Sequence, residues 1–304
     1  MALTEFELID LFTRGAPRGG EGVVVGIGDD AAVLRPPRGE DLVATVDAVV
    51  EGVHFDRRFA PEDVGWKALA VNLSDLAAMG ARPLWALCAL ATPRGERPAR
   101  LARVGRGLAA CARAHGVALA GGNVTRARDL SLTVTVVGSV PRGRALTRAG
   151  ARAGDRLFVS GALGEAALGL RAGADRKAVA RQRRPEPRLA LGRALSRVAT
   201  ACLDVSDGLV QDLGHLCRAS GVGAEVRLDR LPARSLPDAL AGGEDYELLF
   251  TVPPSRLGAL ARATRGAGVP VTDIGEVVAR RGVRVLDGAG RPYRVRRAGH
   301  DHLR

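Results

Sequence analysis

Lysine is almost missing from this chain: among its 45 basic residues only Lys67 and Lys177 are lysines, and the others are arginines. Neither lysine follows a G-x-x-x-x-G run, which excludes a P-loop, where that lysine reaches the β- and γ-phosphates. There is no H-R-D or D-F-G triplet either, so the protein-kinase arrangement is absent. Aromatics make up only 3% of residues, too few to build stacking platforms for bases. The arginines are spread along the chain, so the net charge of +12 reads as ordinary solvated surface, not as a nucleic-acid face. The four cysteines, Cys88, Cys111, Cys202 and Cys217, form no C-x-x-C and read as small core residues of a reduced, cytoplasmic protein. The five histidines are scattered and suggest no zinc site. No apolar run approaches the roughly 18 residues of a membrane span, and the opening "MALTEFELIDLF" lacks the basic start of a signal peptide. It reads instead as a helix, with Thr4 and Glu7 in capping-box spacing.

What is present suits two globular cores, since 304 residues exceed the size at which one core usually stops growing. Strands are expected at 22–26, 42–50 and 130–140, and helices at 61–79 and 99–114. "SVPRGRALTRAGARAGD", rich in Gly, Pro and Arg, marks a boundary between domains 1–140 and 141–304. The second half offers strands at 156–160, 224–228, 246–252, 273–278 and 283–286. Helices are expected from Glu165, from "RRPEPRLA", and after "TACLDVSDG", where Leu209, Leu213, Leu216 and Cys217 share a face. Strands and helices mix without strict alternation, so the expected class is α+β, in two domains with mixed sheets.

The acidic residues are placed unusually. "VGIGDDAAV" puts Asp29 and Asp30 after a Gly-x-Gly turn, and "ATVDAVVEGVHF" carries Asp47 and Glu51. Asp75 lies in "AVNLSDLAAMG", Asp204 and Asp207 in "LDVSDGL", and Glu244, Asp245 and Glu247 in "GGEDYELLF". Each has a plain structural alternative, such as a turn residue, a solvated helix position or, for Asp207, a helix cap. Together they look like acceptor-only side chains brought to strand ends, a hard-oxygen set that suits Mg²⁺ and the phosphates it escorts. Asp75 shares a helical face with Asn72 and Met79, otherwise Ala and Leu, so it needs a cation or a tightly bonded partner. Without a P-loop lysine, phosphate neutralisation falls to metal and arginine, with Arg144 and Arg148 as candidates. "GGNVTR" at 121–126 reads as a Gly-rich turn able to seat a phosphate on backbone N–H groups.

The segments "GIGDDAAVL", "TVDAVVEGVHF", "KALAVNLSDLAAMGARP", "GGNVTR", "GRALTRAGARAGD", "LDVSDGLVQDLGH", "GGEDYELLFTVP" and "GHDHL" stand in the order found in the thiamine-monophosphate kinase family, which the whole chain resembles. The resemblance implies a two-domain fold of the aminoimidazole-ribonucleotide synthetase type, with mixed or antiparallel sheets, flanking helices and homodimers formed through the N-terminal domains. The N-terminal domain would bind metal and ATP, and the C-terminal domain would complete the nucleotide and substrate sites. It implies direct in-line transfer of the γ-phosphoryl of ATP to thiamine monophosphate, with several Mg²⁺ ions and no covalent intermediate. By position, Asp30, Thr45, Val46 (through its backbone), Asp47, Asp75, Asn123, Asp204 and Asp207 resemble metal ligands. Gly122, Asn123, Arg148 and Ser206 resemble ATP contacts, and His54, Glu244 and Leu303 substrate contacts. Asp30, Asp75, Asp207 and Arg148 would carry the chemistry. Thiamine monophosphate and ATP are then the partners, with neither nucleic acid nor membrane.

The chain departs from the family pattern at three of these positions: Asn123 stands for an Asp, Val46 for a Thr, and Leu303 for an aromatic. Selenophosphate synthetases are disfavoured because no reactive Cys lies near the N-terminus, and aminoimidazole-ribonucleotide synthetases by "GGEDYEL" and "EGVHF". The remaining alternative is a nucleotide-binding regulatory member with weakened turnover, Asn123 being the lesion. An amide oxygen ligates Mg²⁺ with one negative charge fewer than a carboxylate, so Asn123→Asp is expected to lower the Mg²⁺ concentration needed for half-maximal rate. An unchanged requirement in a metal titration would show that this side chain does not ligate.

Overall fold

The structure is a computed structural model, and it describes residues 4–171, 173–295 and 299. The chain divides into two compact units: Met1–Leu76 with Arg82–Gly143, and Ala77–Ala81 with Arg144–Arg304.

The first unit opens with α1 (Glu5–Thr13), where the expected capping box forms: Thr4 Oγ1 accepts the Glu7 N–H and Glu7 returns a bond to the Thr4 N–H. A short antiparallel pair follows, β1 (Val23–Val25) with β2 (Val33–Leu34). Then come β3 (Glu40–Val50), α2 (Pro61–Ala78), β4 (Arg82–Thr92), α3 (Pro98–His115), β5 (Ala118–Arg126) and β6 (Ser131–Pro141). The main sheet has the order β3-β6-β4-β5, with β6 antiparallel to both neighbours and β4 parallel to β5 across α3. β3 alternates: Val43, Thr45 and Val49 are the more covered side chains, and Leu42, Ala44, Val46 and Ala48 are exposed.

Two expectations change here. "GGNVTR" is not a turn but part of β5, paired with β4 in the register Cys88↔Gly122 and Ala89↔Asn123. A Cβ at Gly122 would lie 2.0 Å from the Cys88 carbonyl oxygen, so only glycine lets the two strands run together there. β4 itself was not anticipated. "RPLWALCALAT" has little polar alternation, and periodicity cannot assign such a run.

The second unit contains β7 (Arg156–Ser160), α4 (Glu165–Gly169), α5 (Arg176–Arg183), α6 (Leu189–Leu195), β8 (Ala201–Val205), α7 (Leu209–Ser220) and β9 (Gly223–Arg227). It continues with α8 (Leu236–Ala241), β10 (Glu247–Val252), α9 (Leu257–Thr264), β11 (Val271–Val278) and β12 (Gly282–Leu286). Its sheet runs β12-β9-β11-β7-β10-β8, antiparallel except for β12 with β9. One face carries Leu203, Val205 and Leu249 beneath Leu209, Leu213, Leu216 and Cys217 of α7, the side chains expected to share a face. The other face carries Phe158 and Phe250, stacked at 5.7 Å between centroids, beneath Leu191, Leu195 and Leu260. With both faces covered, β8 and β10 are buried along their whole length, which places their ends under tight control. The helix expected from "RRPEPRLA" starts only at Leu189, because Pro185 and Pro187 offer no N–H and disfavour helical geometry in the residues before them. α5 had no expectation.

α2 and α3 cross at glycine. A Cβ on Gly65 would lie 1.9 Å from the Val104 carbonyl oxygen, and one on Gly107 equally close to that of Glu62. Gly65→Ala is therefore expected to cost about 1–3 kcal/mol in urea unfolding, because neither helix can retreat without opening the core. An unshifted midpoint would mean that the helices do not approach this closely.

Candidate active site

In the first unit a cavity of about 920 Å³ opens between α1, the 26–32 loop and strands β4, β5 and β6. Asp30, Gly122 and Asn123 line it together with apolar side chains that include Phe6, Ile9 and Leu87. Asp29 and Asp30 are both exposed, and the Asp29 carboxylate accepts the Asp30 N–H at 2.8 Å. The acidic pair is thus hydrated at a cavity rim, and the fold itself pays no burial cost for it.

Two further side chains meet across β3 and α2. Thr45 Oγ1 donates to Asp75 Oδ2 at 2.6 Å, and the Asp47 N–H donates to Asn72 Oδ1 at 2.9 Å. Asn72 is fully buried and uses its amide to donate to the Ala68 carbonyl, so its oxygen is aimed at β3. This supplies Asp75 with the bonded partner that its apolar helix face demands. Val46 points its exposed side chain to the other face of β3, leaving only backbone on the side of Thr45 and Asp47.

His54 closes the turn after β3. Its ring Nδ1 accepts the Val50 N–H at 3.2 Å, and its carbonyl accepts from Lys67 Nζ at 3.1 Å. Lys67, 1% exposed, also lies 5.6 Å from the centroid of the Phe59 ring, a cation–π contact.

In the second unit the site is made by the ends of β8 and β10. Asp204, buried, sits opposite Leu248 in the β8–β10 register, and Ser206 and Asp207 follow directly. Asp207 Oδ2 accepts from Gln211 Nε2 at 3.2 Å. The facing "GGEDY" loop is tied to them, the Glu244 N–H donating to the Ser206 carbonyl at 2.7 Å and the Tyr246 N–H to that of Val205 at 2.9 Å. Glu244 and Tyr246 adopt φ of 67° and 51°, uncommon for non-glycine residues and held by these bonds. The sheet thus brings Asp204, Ser206, Asp207 and Glu244 together. Arg148, exposed, is near enough to His215 for its charge to help hold that imidazole below 6.5, after burial and Arg218, while Asp207 opposes the shift. Leu303 lies outside the described residues. Gly299 is described: a Cβ there would fall 2.7 Å from the Asp207 carbonyl oxygen.

Asp207 does not cap α7. Asp212, inside the first turn, reaches back instead, and its Oδ2 accepts the N–H groups of Ser206, Asp207 and Gly208 at 3.1, 3.0 and 3.1 Å. Burial pushes the Asp212 carboxyl up to about 6, against the pull of those amides. Asp245 caps α4 in the same manner, accepting from Gly164 at 2.7 Å and Ala166 at 3.3 Å, and burial raises it to about 7. Glu247, with no exposed surface, is gripped by Arg181, by Arg188 at 2.8 and 2.6 Å and by Ser160 Oγ at 2.5 Å. The sequence reading gave these three acids no supporting role. The only advance signal was that Asp212 follows Asp207 within one helical turn and a half.

The donors are carboxylates, an amide, a threonine hydroxyl and main-chain carbonyls, all hard oxygens of the type that Mg²⁺ takes. Among the described residues no three carboxylate, imidazole or thiol groups gather closely enough to cage a cation unaided.

Residues 28–140 match the family model of the AIR synthase related protein, N-terminal domain, and residues 152–288 that of its C-terminal domain. The two units therefore define a protein of the AIR synthase related class. The thiamine-monophosphate kinase of Escherichia coli (strain K12) is 41% identical, over 100% of this chain and 99% of its own. The crystal structure of thiamine-monophosphate kinase from Stenotrophomonas maltophilia K279a matches with a TM-score of 0.83 and 42% identity, covering 94% of this chain and 97% of its own. A structure described as AaThiL complexed with AMPPCP and TMP matches at 0.77 and 33%, over 99% of both chains. The chain belongs to the thiamine-monophosphate kinase family.

Two tests follow from the buried acids. Glu247→Gln removes the buried charge shared by Arg181 and Arg188 and is expected to cost about 3–5 kcal/mol in denaturant unfolding; a cost below 1 kcal/mol would show the cluster to be solvated. Asp245 is protonated more readily in the folded chain than at its ordinary 3.8, so stability falls as pH rises from 3.8 to about 7. Asp245→Asn is expected to flatten that decline in a pH series of urea unfolding, and an unchanged slope would refute the assignment.

Proposed function

We propose that this chain phosphorylates thiamine monophosphate to thiamine diphosphate with ATP, by direct in-line transfer of the γ-phosphoryl group. The observation that carries the reading is the end-to-end similarity to proteins named for that activity. It is supported by an all-oxygen donor set without a candidate nucleophile, an arrangement suited to positioning and charge neutralisation.

In the first unit we assign Asp30, Thr45, Asp47, Asp75, Asn123 and the main chain of Val46 to Mg²⁺, and Gly122 and Asn123 to ATP. The 920 Å³ cavity that Asp30, Gly122 and Asn123 border, with Phe6 and Leu87 on its wall, has the apolar character a nucleobase prefers. In the second unit we assign Asp204 and Asp207 to Mg²⁺ and Ser206 and Arg148 to ATP. His54, Glu244 and Leu303 are assigned to the substrate. These residues would hold Mg²⁺, which when bound would offset the negative charge of the phosphates. The chain's own task is to fix the reacting phosphates in line. Thr45 and Asn72 hold Asp75 and the Asp47 backbone still, Arg148 supplies a fixed positive charge, and the strained Glu244 backbone orients the substrate end. No covalent relay is needed.

We also assign a homodimer through the first unit, because the exposed face of β3 is apolar, with Leu42 49% and Val46 57% exposed. A cytoplasmic setting without nucleic-acid or membrane partners completes the reading. No helix among the described residues is long and apolar enough to cross a membrane.

Incubation of the purified protein with ATP, Mg²⁺ and thiamine monophosphate is expected to yield thiamine diphosphate and ADP. No product over a wide Mg²⁺ range, with ATP still binding, would overturn the assignment. Asp30→Asn and Asp75→Asn are expected to lower kcat by about 10²-fold or more while the proteins stay folded. Full activity in both would remove the metal assignment.

A further inference from the structure

We propose that Asp212 is a positioning residue for phosphoryl transfer: its carboxylate sets the backbone of the Ser206–Gly208 loop and thereby the orientation of Asp207. The proposal rests on the reading of Asp207 as a Mg²⁺ ligand beside the phosphates. Three consecutive amides aimed at one point normally form a nest for an external phosphate or carboxylate. Here the chain fills that nest itself, with a single oxygen of Asp212 within 3.1 Å of all three nitrogens. Asp212 is 5% exposed, so these bonds are not traded for water. The loop is clamped from the other side as well, where the Ser206 carbonyl accepts the Glu244 N–H at 2.7 Å. Held on both sides, the peptide that carries Asp207 has little freedom, and the adjoining carboxylates cannot relax apart when no cation is bound.

The competing account is that Asp212 serves only the helix, as an acid in its first turn favoured by the dipole. Such a role lowers stability on substitution and leaves Mg²⁺ and nucleotide handling unchanged. The two accounts separate on metal dependence.

The experiment compares Asp212→Asn, Asp207→Asn and the unaltered full-length protein. It measures the Mg²⁺ concentration for half-maximal rate, kcat, KM for thiamine monophosphate and the affinity of a non-hydrolysable ATP analogue in Mg²⁺. Amide hydrogen exchange at residues 206–208 is followed without ligands. For Asp212→Asn the expected result is a rise of about 10-fold in the Mg²⁺ requirement and a loss of about 10–100-fold in kcat. KM for thiamine monophosphate should stay within about twofold, and analogue affinity should fall with the metal requirement. Exchange at 206–208 should quicken. A folded Asp212→Asn protein with an unaltered Mg²⁺ requirement and analogue affinity, beside an inactive Asp207→Asn protein, would overturn the proposal alone. A fully active Asp207→Asn protein would overturn the ligand reading and the proposal with it. Should Asp212→Asn fail to fold, exchange in the unaltered protein decides: protected amides at 206–208 support the proposal, and unprotected ones overturn it.

Discussion

A carboxylate removed from water must be met by N–H donors or by positive charge, and that requirement organises the second unit. Asp212 lies in the first turn of α7, Asp245 in the loop before β10 and Glu247 at the start of β10, and each is met by donors outside its own element. Asp212 ties the loop after β8 to α7, Asp245 ties the "GGEDY" loop to α4, and Glu247 ties β10 to α5 and to the segment before α6. These bonds cross the open ends of a sheet whose two faces are already covered. What remains to contact a ligand is a short run of backbone whose shape has been decided in advance.

The first unit solves the same problem with neutral partners. Asp75 meets a threonine hydroxyl, and the Asp47 backbone meets a buried asparagine. Those groups fix the orientation of the Asp75 carboxylate and of the strand beside it. Among the second unit's supporting acids, Glu247 is met by arginine, whereas Asp212 and Asp245 are met by main-chain N–H groups.

Much of this was legible in the sequence, and the reason differs by element. The capping box of α1, the face shared by Leu209, Leu213, Leu216 and Cys217, and the strands of the second unit follow from spacing alone. β4 and the strand character of "GGNVTR" were not legible, because an apolar run and a glycine pair carry no period, and their pairing is decided by a segment thirty residues away. At the site, Asp30, Asp75 and Asp207 drew notice through their own surroundings. Asp212 did not, and Asp245 and Glu247 drew it only as members of the oxygen set, since a supporting acid is defined by what meets its charge, and for Asp245 and Glu247 those donors are remote in sequence. The adjacent pair Asp29–Asp30 is exposed at the cavity rim, so two neighbouring acids there carry no burial cost.

The scarcity of lysine meets the packing of α2 in one practical respect. Lys67 is sealed beneath the His54 turn, whereas Lys177 stands in the open on α5. Amine-directed chemistry on the folded protein therefore encounters a single accessible lysine side chain, and a fluorophore or tether attached through it would sit at one defined point on the second unit, well separated in sequence from every residue given a role in turnover.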